Sequence, residues 1–264
     1  MKQAPQHYAV IGAGMAGVAC ARTLVQAGHR VTVYEKSRGA GGRMATRETA
    51  FGHFDHGVQY FTVRDPRFAL ALRTTTPADL CRPWSANAVR VLDPHGRVVA
   101  AALPAREPHW VAAPGMNALV RHWAGPLTQA GALRPLTRVT RIEPDALDAQ
   151  RWQLRTETDE GGQRVDSGYD GVILAIPSAQ ALELLQKSQQ APRFAERLTE
   201  VRTAPCWTLM IAFPQAMQPG MQTLGPQWNA ARSTHHRLAW LARESSKPQR
   251  GPIERWTVQA GPDW

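Results

Sequence analysis

The sequence predicts an α/β fold, on three observations. A strand-helix-strand pattern opens the chain, a glycine-punctuated turn joins its first two elements, and short apolar runs alternate with helical segments afterwards. Tyr8 to Ile11 is an apolar run ending in glycines, and Met15 to Ala27 is rich in Ala, Val and Leu and closed by Gly28. Val31 to Glu35 is β-branched. Together they form a βαβ unit of about 30 residues, with parallel strands and a right-handed crossover expected.

After this unit, Ser37 to Arg47 is a glycine-rich loop and Gly52 to Thr62 mixes aromatic with small residues. The stretch from Thr74 to Pro108 is rich in Pro and polar residues. Within it, Asp93-Pro94-His95-Gly96 separates Val89 to Leu92 from Val98 to Ala101, a hairpin pattern. A helix is expected over Met116 to Ala130, and strands over Val139 to Ile142 and Trp152 to Thr156. Asp170 to Ile176 is continuously apolar after its first two residues, as in a strand buried on both faces, and Pro177 ends it. Helices follow near Ala179 to Gln186 and Ala195 to Val201, then strands at Trp207 to Phe213, Arg237 to Leu241 and Arg255 to Gln259.

A chain of 264 residues can bury a substantial core, and two interleaved domains are expected. Its 43% hydrophobic and 20% charged content excludes a largely disordered or fibrous chain. Cys20, Cys81 and Cys206 are too few and scattered for a disulfide framework or a Cys-based zinc site, and they suit a reducing cytoplasm. No run approaches the roughly 18 apolar residues of a membrane helix, and no signal peptide is evident, so a cytoplasmic protein without a membrane partner is expected. The net charge of +10 comes from 27 Arg and 4 Lys against 21 acids. These basic residues are spread along the whole chain, which argues against a nucleic-acid partner and for a basic surface that attracts phosphate-bearing small molecules.

Gly12-Ala13-Gly14-Met15-Ala16-Gly17 lies between the first strand and the helix. Gly12 suits the tight turn, Gly14 admits a pyrophosphate close to the backbone, and Gly17 allows close packing of helix on strand. The free N–H groups and positive dipole end of the helix then face the phosphates. Glu35 stands at the end of the second strand, where a carboxylate accepts hydrogen bonds from ribose hydroxyls. Lys36-Ser37-Arg38-Gly39-Ala40-Gly41-Gly42-Arg43-Met44 follows at once and brings more backbone and two guanidiniums to the same place.

A glycine turn followed by a Gly-Gly-Arg loop resembles the flavoprotein family that includes amine oxidases, phytoene desaturases and renalases. Asp170 to Pro177 resembles the strand by which these proteins return to the cofactor sheet, and Arg138-Val139 the segment whose backbone meets the adenine. Gly57-Val58-Gln59-Tyr60-Phe61-Thr62 with Arg64-Asp65 and Phe68, then Pro114-Gly115-Met116, then Trp240-Leu241-Ala242-Arg243 with Ser246-Lys247-Pro248, are similar to the bacterial renalase group. The resemblance implies a Rossmann-type FAD-binding domain with an interleaved α+β substrate domain. It divides the chain into residues 1–72 and 111–180 for FAD, and 73–110 and 181–264 for substrate.

By the same resemblance, FAD is held by Gly12, Gly14, Met15, Ala16, Gly17, Glu35, Lys36, Arg38, Gly42, Arg43, Met44, Gln59, Tyr60 and Val139. Substrate is lined by Tyr60, Phe61 and Thr62, with Trp110, Cys206 and Trp207 on the opposite wall. The implied reaction oxidises 2- and 6-dihydro isomers of NAD(P)H, a dihydropyridine dinucleotide, with hydride passing to flavin N5 and electrons to molecular oxygen. Such a substrate is already a hydride donor, so no catalytic side chain is expected.

His53, Asp55 and His56 lack a further spaced ligand, so no metal is expected. His235-His236 reads as surface, and no nucleophile elbow is present. Family members continue past the position matching Trp264 into a strand end and helix at the flavin ring, and the resemblance implies that this C-terminal FAD-binding segment is absent here. An amine oxidase or desaturase on the same scaffold, and a non-catalytic nucleotide-binding remnant, are the alternatives. The four lysines, Lys2, Lys36, Lys187 and Lys247, fall in no recognisable motif for the amine oxidases' flavin-side lysine.

Overall fold

The computed structural model describes residues 4–85, 89–101, 107–217, 228–262 and 264. It divides into two compact units, each made of two stretches of chain. One holds the described residues up to Gly42 together with Val120–Thr203, and the other holds Arg43–Leu119 and the described residues from Ala204 on. The divisions therefore fall at 42/43, 119/120 and 203/204, whereas the sequence suggests 72/73, 110/111 and 180/181. Residues 86–88 and 102–106 of the Pro-rich stretch lie outside the described residues.

The first unit opens as the sequence predicts. Strand His7–Ile11, helix Met15–Gln26 and strand Arg30–Tyr34 form the βαβ unit, and the two strands pair in parallel. The sheet has four strands, in the order Gly171–Leu174, His7–Ile11, Arg30–Tyr34, Leu133–Arg134, every pair parallel. Gly171–Leu174 was expected to be buried on both faces. It is instead an edge strand with half-buried side chains; among the described residues only His7–Ile11 pairs with it. An apolar run shows neither how fully each face is covered nor how many strands neighbour it.

Across this unit lies an antiparallel sheet of Thr137–Pro144, Trp152–Thr158 and Gln163–Tyr169. The third strand was not expected, since its sequence, QRVDSGY, is mostly polar and its residues are mostly exposed. Leu154, Ile142, Val139 and Tyr169 from this sheet pack with Ala9, Ile11 and Tyr34 from the parallel sheet and Leu184 from helix Ser178–Ser188. Inside this core the Tyr34 hydroxyl meets that of Tyr169 at 2.6 Å and donates to Asp166 at 3.0 Å, so the buried phenols are satisfied. Burial, then the Tyr169 hydrogen bond, raises the Tyr34 pKa and keeps the phenol neutral.

The second unit is built on a six-stranded sheet, in the order Thr208–Phe213, Glu254–Ala260, Leu238–Arg243, Ala230–Ser233, Arg90–Leu92, Val98–Ala101. The expected hairpin is present: Arg90–Leu92 pairs with Val98–Ala101, and the Asp93 carboxylate accepts from the N–H groups of His95 and Arg97. Strand Ala230–Ser233 of this sheet was not expected, nor were helix Pro66–Thr75, capped by Asp65 accepting from Arg67 N–H, or the two-stranded pairs Arg47–Thr49 with Gly52–Phe54 and Cys81–Pro83 with Trp110–Ala112.

Leu154 is fully buried in the core of the first unit. We expect Leu154→Ala to cost about 2–5 kcal/mol in urea unfolding by the lost transfer energy and the cavity left behind; a change below about 1 kcal/mol would contradict this packing.

Candidate functional site

The glycine turn of the first unit is shaped by close approach. Gly12 has φ +103°, and a Cβ there would lie 2.6 Å from the Ala175 carbonyl oxygen. A Cβ on Gly17 would lie 1.9 Å from the Gly12 oxygen, so the helix can sit on the strand only if residue 17 has no side chain. Helix Met15–Gln26 begins at Gly14 with no side-chain cap and no acid in its first turn. Its first helical bond runs from Val18 N–H to the Gly14 carbonyl, so the N–H groups of Met15, Ala16 and Gly17 precede the ladder and point out of the helix start. This is a place for an anion.

Two further segments meet this turn. Gly41 N–H donates to the Ala13 carbonyl at 3.0 Å, and Gly14 and Gly41 form a parallel bridge, so the loop after Glu35 folds back onto the turn as its glycines suggested. Glu35 is buried, with Oε2 accepting from Ala13 N–H and Oε1 from Ser37 N–H, both at 2.8 Å. One carboxylate thus ties the turn to the loop. Each oxygen still has a lone pair for a ribose hydroxyl. The Glu35 carbonyl accepts from Thr137 N–H at 2.9 Å, which starts the edge strand that carries Val139.

The remaining residues expected at the cofactor are placed as follows. Lys36 and Arg38 are exposed, with Lys36 Nζ donating to Gln180 Oε1 at 3.2 Å. Gly42 is exposed at the end of the loop. Val139 turns its side chain into the core, leaving its backbone for any contact. Arg43 and Met44 open the second unit, Arg43 exposed and Met44 buried.

In the second unit the aromatic segment is held from below by a buried ionic cluster. The side chains of Asp55, Glu244, Lys247 and Arg250 have no exposed surface. Asp55 Oδ1 accepts from Thr46 Oγ1 at 2.7 Å and Met116 N–H at 2.9 Å, and Oδ2 from Lys247 Nζ at 2.9 Å and Arg250 Nη2 at 2.6 Å. Lys247 spends its other donors on Gln59 Oε1 and Glu244 Oε1, both at 3.1 Å. Glu244 Oε1 also accepts from Thr257 at 2.7 Å and Asp55 N–H at 3.2 Å. Gln59 closes the circle by donating to the Asp55 carbonyl.

The structure therefore gives Gln59 a bracing role, and leaves the rings beyond it as candidate surface. Tyr60 stacks on His109 with centroids 3.9 Å apart, and Trp240 lies 5.9 Å from it. Phe61 and Trp110 exchange two backbone hydrogen bonds of 2.8 Å, and Phe61 packs edge-on against Phe68. Tyr60, Phe61, Thr62 and Trp110 are all half-buried. Cys206 and Trp207 are exposed, Trp207 by 70%, just before the edge strand Thr208–Phe213. Thr208 and Gln259, paired across that edge, donate to the carbonyls of His56 and Gly57, so this strand end adjoins the same loop.

Asp55, Glu244, Arg250 and His109 were not singled out for these contacts by sequence, although Glu244, Lys247 and Arg250 recur every third residue. Among the described residues no group of three His, Cys, Asp or Glu side chains could share a metal ion.

Burial pushes the Asp55 carboxyl up, and the charges of Lys247 and Arg250 with the Arg250 hydrogen bond overcome it, leaving the pKa lowered to about 2. A carboxyl depressed below its unfolded value of about 3.9 contributes stability that is complete above that value and lost as the pH falls toward the folded one. We expect stability to fall steeply between about pH 4 and pH 2. Asp55→Asn strands Lys247 and Arg250 and should cost about 3–5 kcal/mol at pH 7 by chemical denaturation, with a flatter acid limb; an unchanged acid limb would contradict the pairing.

Residues 10–72 match the model of the NAD(P)-binding Rossmann-like domain. An L-amino-acid oxidase of Bothrops pauloensis is 52% identical over 42 residues, 16% of this chain and 8% of that protein. The chain spans a tenth or less of the curated relatives it matches first. Among solved structures, cyclohexylamine oxidase from Brevibacterium oxydans IH-35A superposes with a TM-score of 0.70 at 14% identity, over 97% of this chain and 75% of that one. A fatty acid isomerase from P. acnes superposes with a TM-score of 0.71 at 13% identity, over 100% of this chain and 79% of that one. The opening βαβ segment thus has a Rossmann-like fold. The chain as a whole has the mixed α/β fold seen in these structures.

Proposed function

We propose that the chain binds FAD through its first unit and oxidises misreduced dihydropyridine isomers of NAD(P)H, the 2- and 6-dihydro forms, with molecular oxygen as the final acceptor. The FAD assignment is supported by the glycine turn, the capless helix start, the folded-back loop and Glu35, which together fit the ADP half of a dinucleotide. FAD, when bound, supplies a hydride acceptor at N5 and a route for two electrons to oxygen, giving hydrogen peroxide.

Within this assignment the N–H groups of Met15, Ala16 and Gly17 bind the pyrophosphate, with Lys36 and Arg38 contributing positive charge. Glu35 orients the ribose through its remaining lone pairs, and the Val139 backbone meets the adenine. Gln59, held by Lys247, sets the aromatic segment in place, and Tyr60, Phe61, Thr62 and Trp110 take the substrate ring, with Cys206 and Trp207 as its further wall. None of these groups needs to move a proton.

The observation that carries the substrate reading is the state of Lys247. It is buried and fully engaged with Asp55, Gln59 and Glu244, so it is not a free amine for the flavin-side role seen in amine oxidases. Lys36 and Lys187 are exposed, bonded to Gln180 and Glu183. This suits a substrate that donates hydride unaided. A second reading, an oxidase of primary or secondary amines, is favoured by the names of the structural and curated relatives.

Anaerobic addition of 2- or 6-dihydro-NAD(P) to the flavin-loaded protein should bleach the flavin band, and air should restore it. Bleaching by amines with no response to the isomers would establish the second reading instead. Glu35→Ala should weaken FAD affinity about ten- to hundredfold in a fluorescence titration, the loss of charge-assisted hydrogen bonds. Retention of ADP with no measurable FAD binding in the unaltered chain would point to a nucleotide-binding remnant.

A further inference from the structure

Tyr60 is one layer of a ring stack whose lower layer is buried. The His109 imidazole lies under the phenol with centroids 3.9 Å apart and planes 29° apart, and His109 is buried whereas Tyr60 is only half-buried. The His109 carbonyl accepts from Trp84 N–H at 2.7 Å, and the next residue, Trp110, is fixed by its paired bonds to Phe61. Trp84 is itself fully buried, its indole N–H donating to Ser246 Oγ at 2.9 Å and its ring 5.3 Å from Lys247 Nζ. Both neighbours of the phenol therefore lead back to one lysine: Gln59 through a hydrogen bond, and His109 through Trp84.

We propose that His109 is a positioning residue that holds Tyr60 as a flat platform for the pyridine ring of the substrate. This rests on the dihydropyridine reading above. Planar rings gain most from offset stacking on a surface already oriented, and a phenol free to rotate would have to be immobilised on each binding event. The imidazole supplies that orientation in advance. It thereby sets affinity for the planar ring and leaves the hydride step untouched. Aliphatic chains and aliphatic amines have no flat face to exploit the platform.

The test compares His109→Phe, His109→Leu and His109→Ala with the unaltered flavin-loaded protein. Two quantities are read: kcat and KM for 6-dihydro-NAD, and, without turnover, the Kd of oxidised nicotinamide mononucleotide from quenching of intrinsic fluorescence. In the Ala and Leu variants KM and Kd should both rise about three- to tenfold with kcat within twofold, the scale of one unrestrained side chain. The Phe variant should restore both, because it keeps a planar ring beneath Tyr60. If the Ala variant does not fold, the Phe and Leu pair decides the matter, since both fill the space and only one stacks. Equal behaviour of Phe and Leu, or a fall in kcat at constant KM, overturns the proposal. An unaltered protein that neither oxidises the isomer nor binds the mononucleotide overturns the function reading and this proposal with it. One that does both while all three variants match it overturns only the role of His109.

Discussion

Asp55 holds a negative charge in the interior of the second unit, and much of that unit is arranged so that the charge can stay there. Transferring a carboxylate from water to a protein interior costs several kcal/mol unless its lone pairs are filled and its charge is matched. Asp55 meets both conditions, with four donors on two oxygens, two of them from cations. The donors come from residues 46, 116, 247 and 250, so one side chain ties together segments distant in the chain. The candidate aromatic surface hangs on this tie, because Lys247 and the Asp55 carbonyl grip Gln59 from either end. Such a cluster is weak evidence for net stability. Its value lies in allowing one arrangement of the Gln59–Tyr60 segment and few others.

The first unit solves a related problem with backbone donors. Glu35 is also buried, and it is satisfied by two amides that belong to the turn before the helix and the loop after the strand. Satisfying the carboxylate and fixing the turn against the loop are therefore the same act. The close contacts at Gly12 and Gly17 complete this, since any side chain there would push the helix start away from the strand ends.

What could be read from the sequence follows from how local each constraint is. The opening βαβ unit was legible because its glycines, its helix and Glu35 fall within about 30 residues and each has a stereochemical reason for its position. The hairpin at Asp93 was legible for the same cause. Helix Pro66–Thr75 went unread although Asp65-Pro66 is a start signal, because its apolar residues fall in one consecutive run rather than at helical spacing and none is buried. The strand Gln163–Tyr169 was hidden by its polar face, and Gly171–Leu174 looked central because composition cannot show that a sheet ends. Spacing could show only the Glu244, Lys247 and Arg250 part of the ionic cluster, not its partner Asp55. Asp55 and Lys247 are 192 residues apart, and only the folded chain brings them together.

These two carboxylates bear on the proposed chemistry in different ways, one by joining the glycine turn to the loop that follows Glu35 and the other by engaging the amine of Lys247. The most direct test is the stoichiometry of turnover in air. The account predicts that each 6-dihydro-NAD consumed yields one NAD and one hydrogen peroxide, with no base or metal required. Consumption of an amine with release of aldehyde and peroxide, while the dinucleotide isomer is left intact, would contradict it.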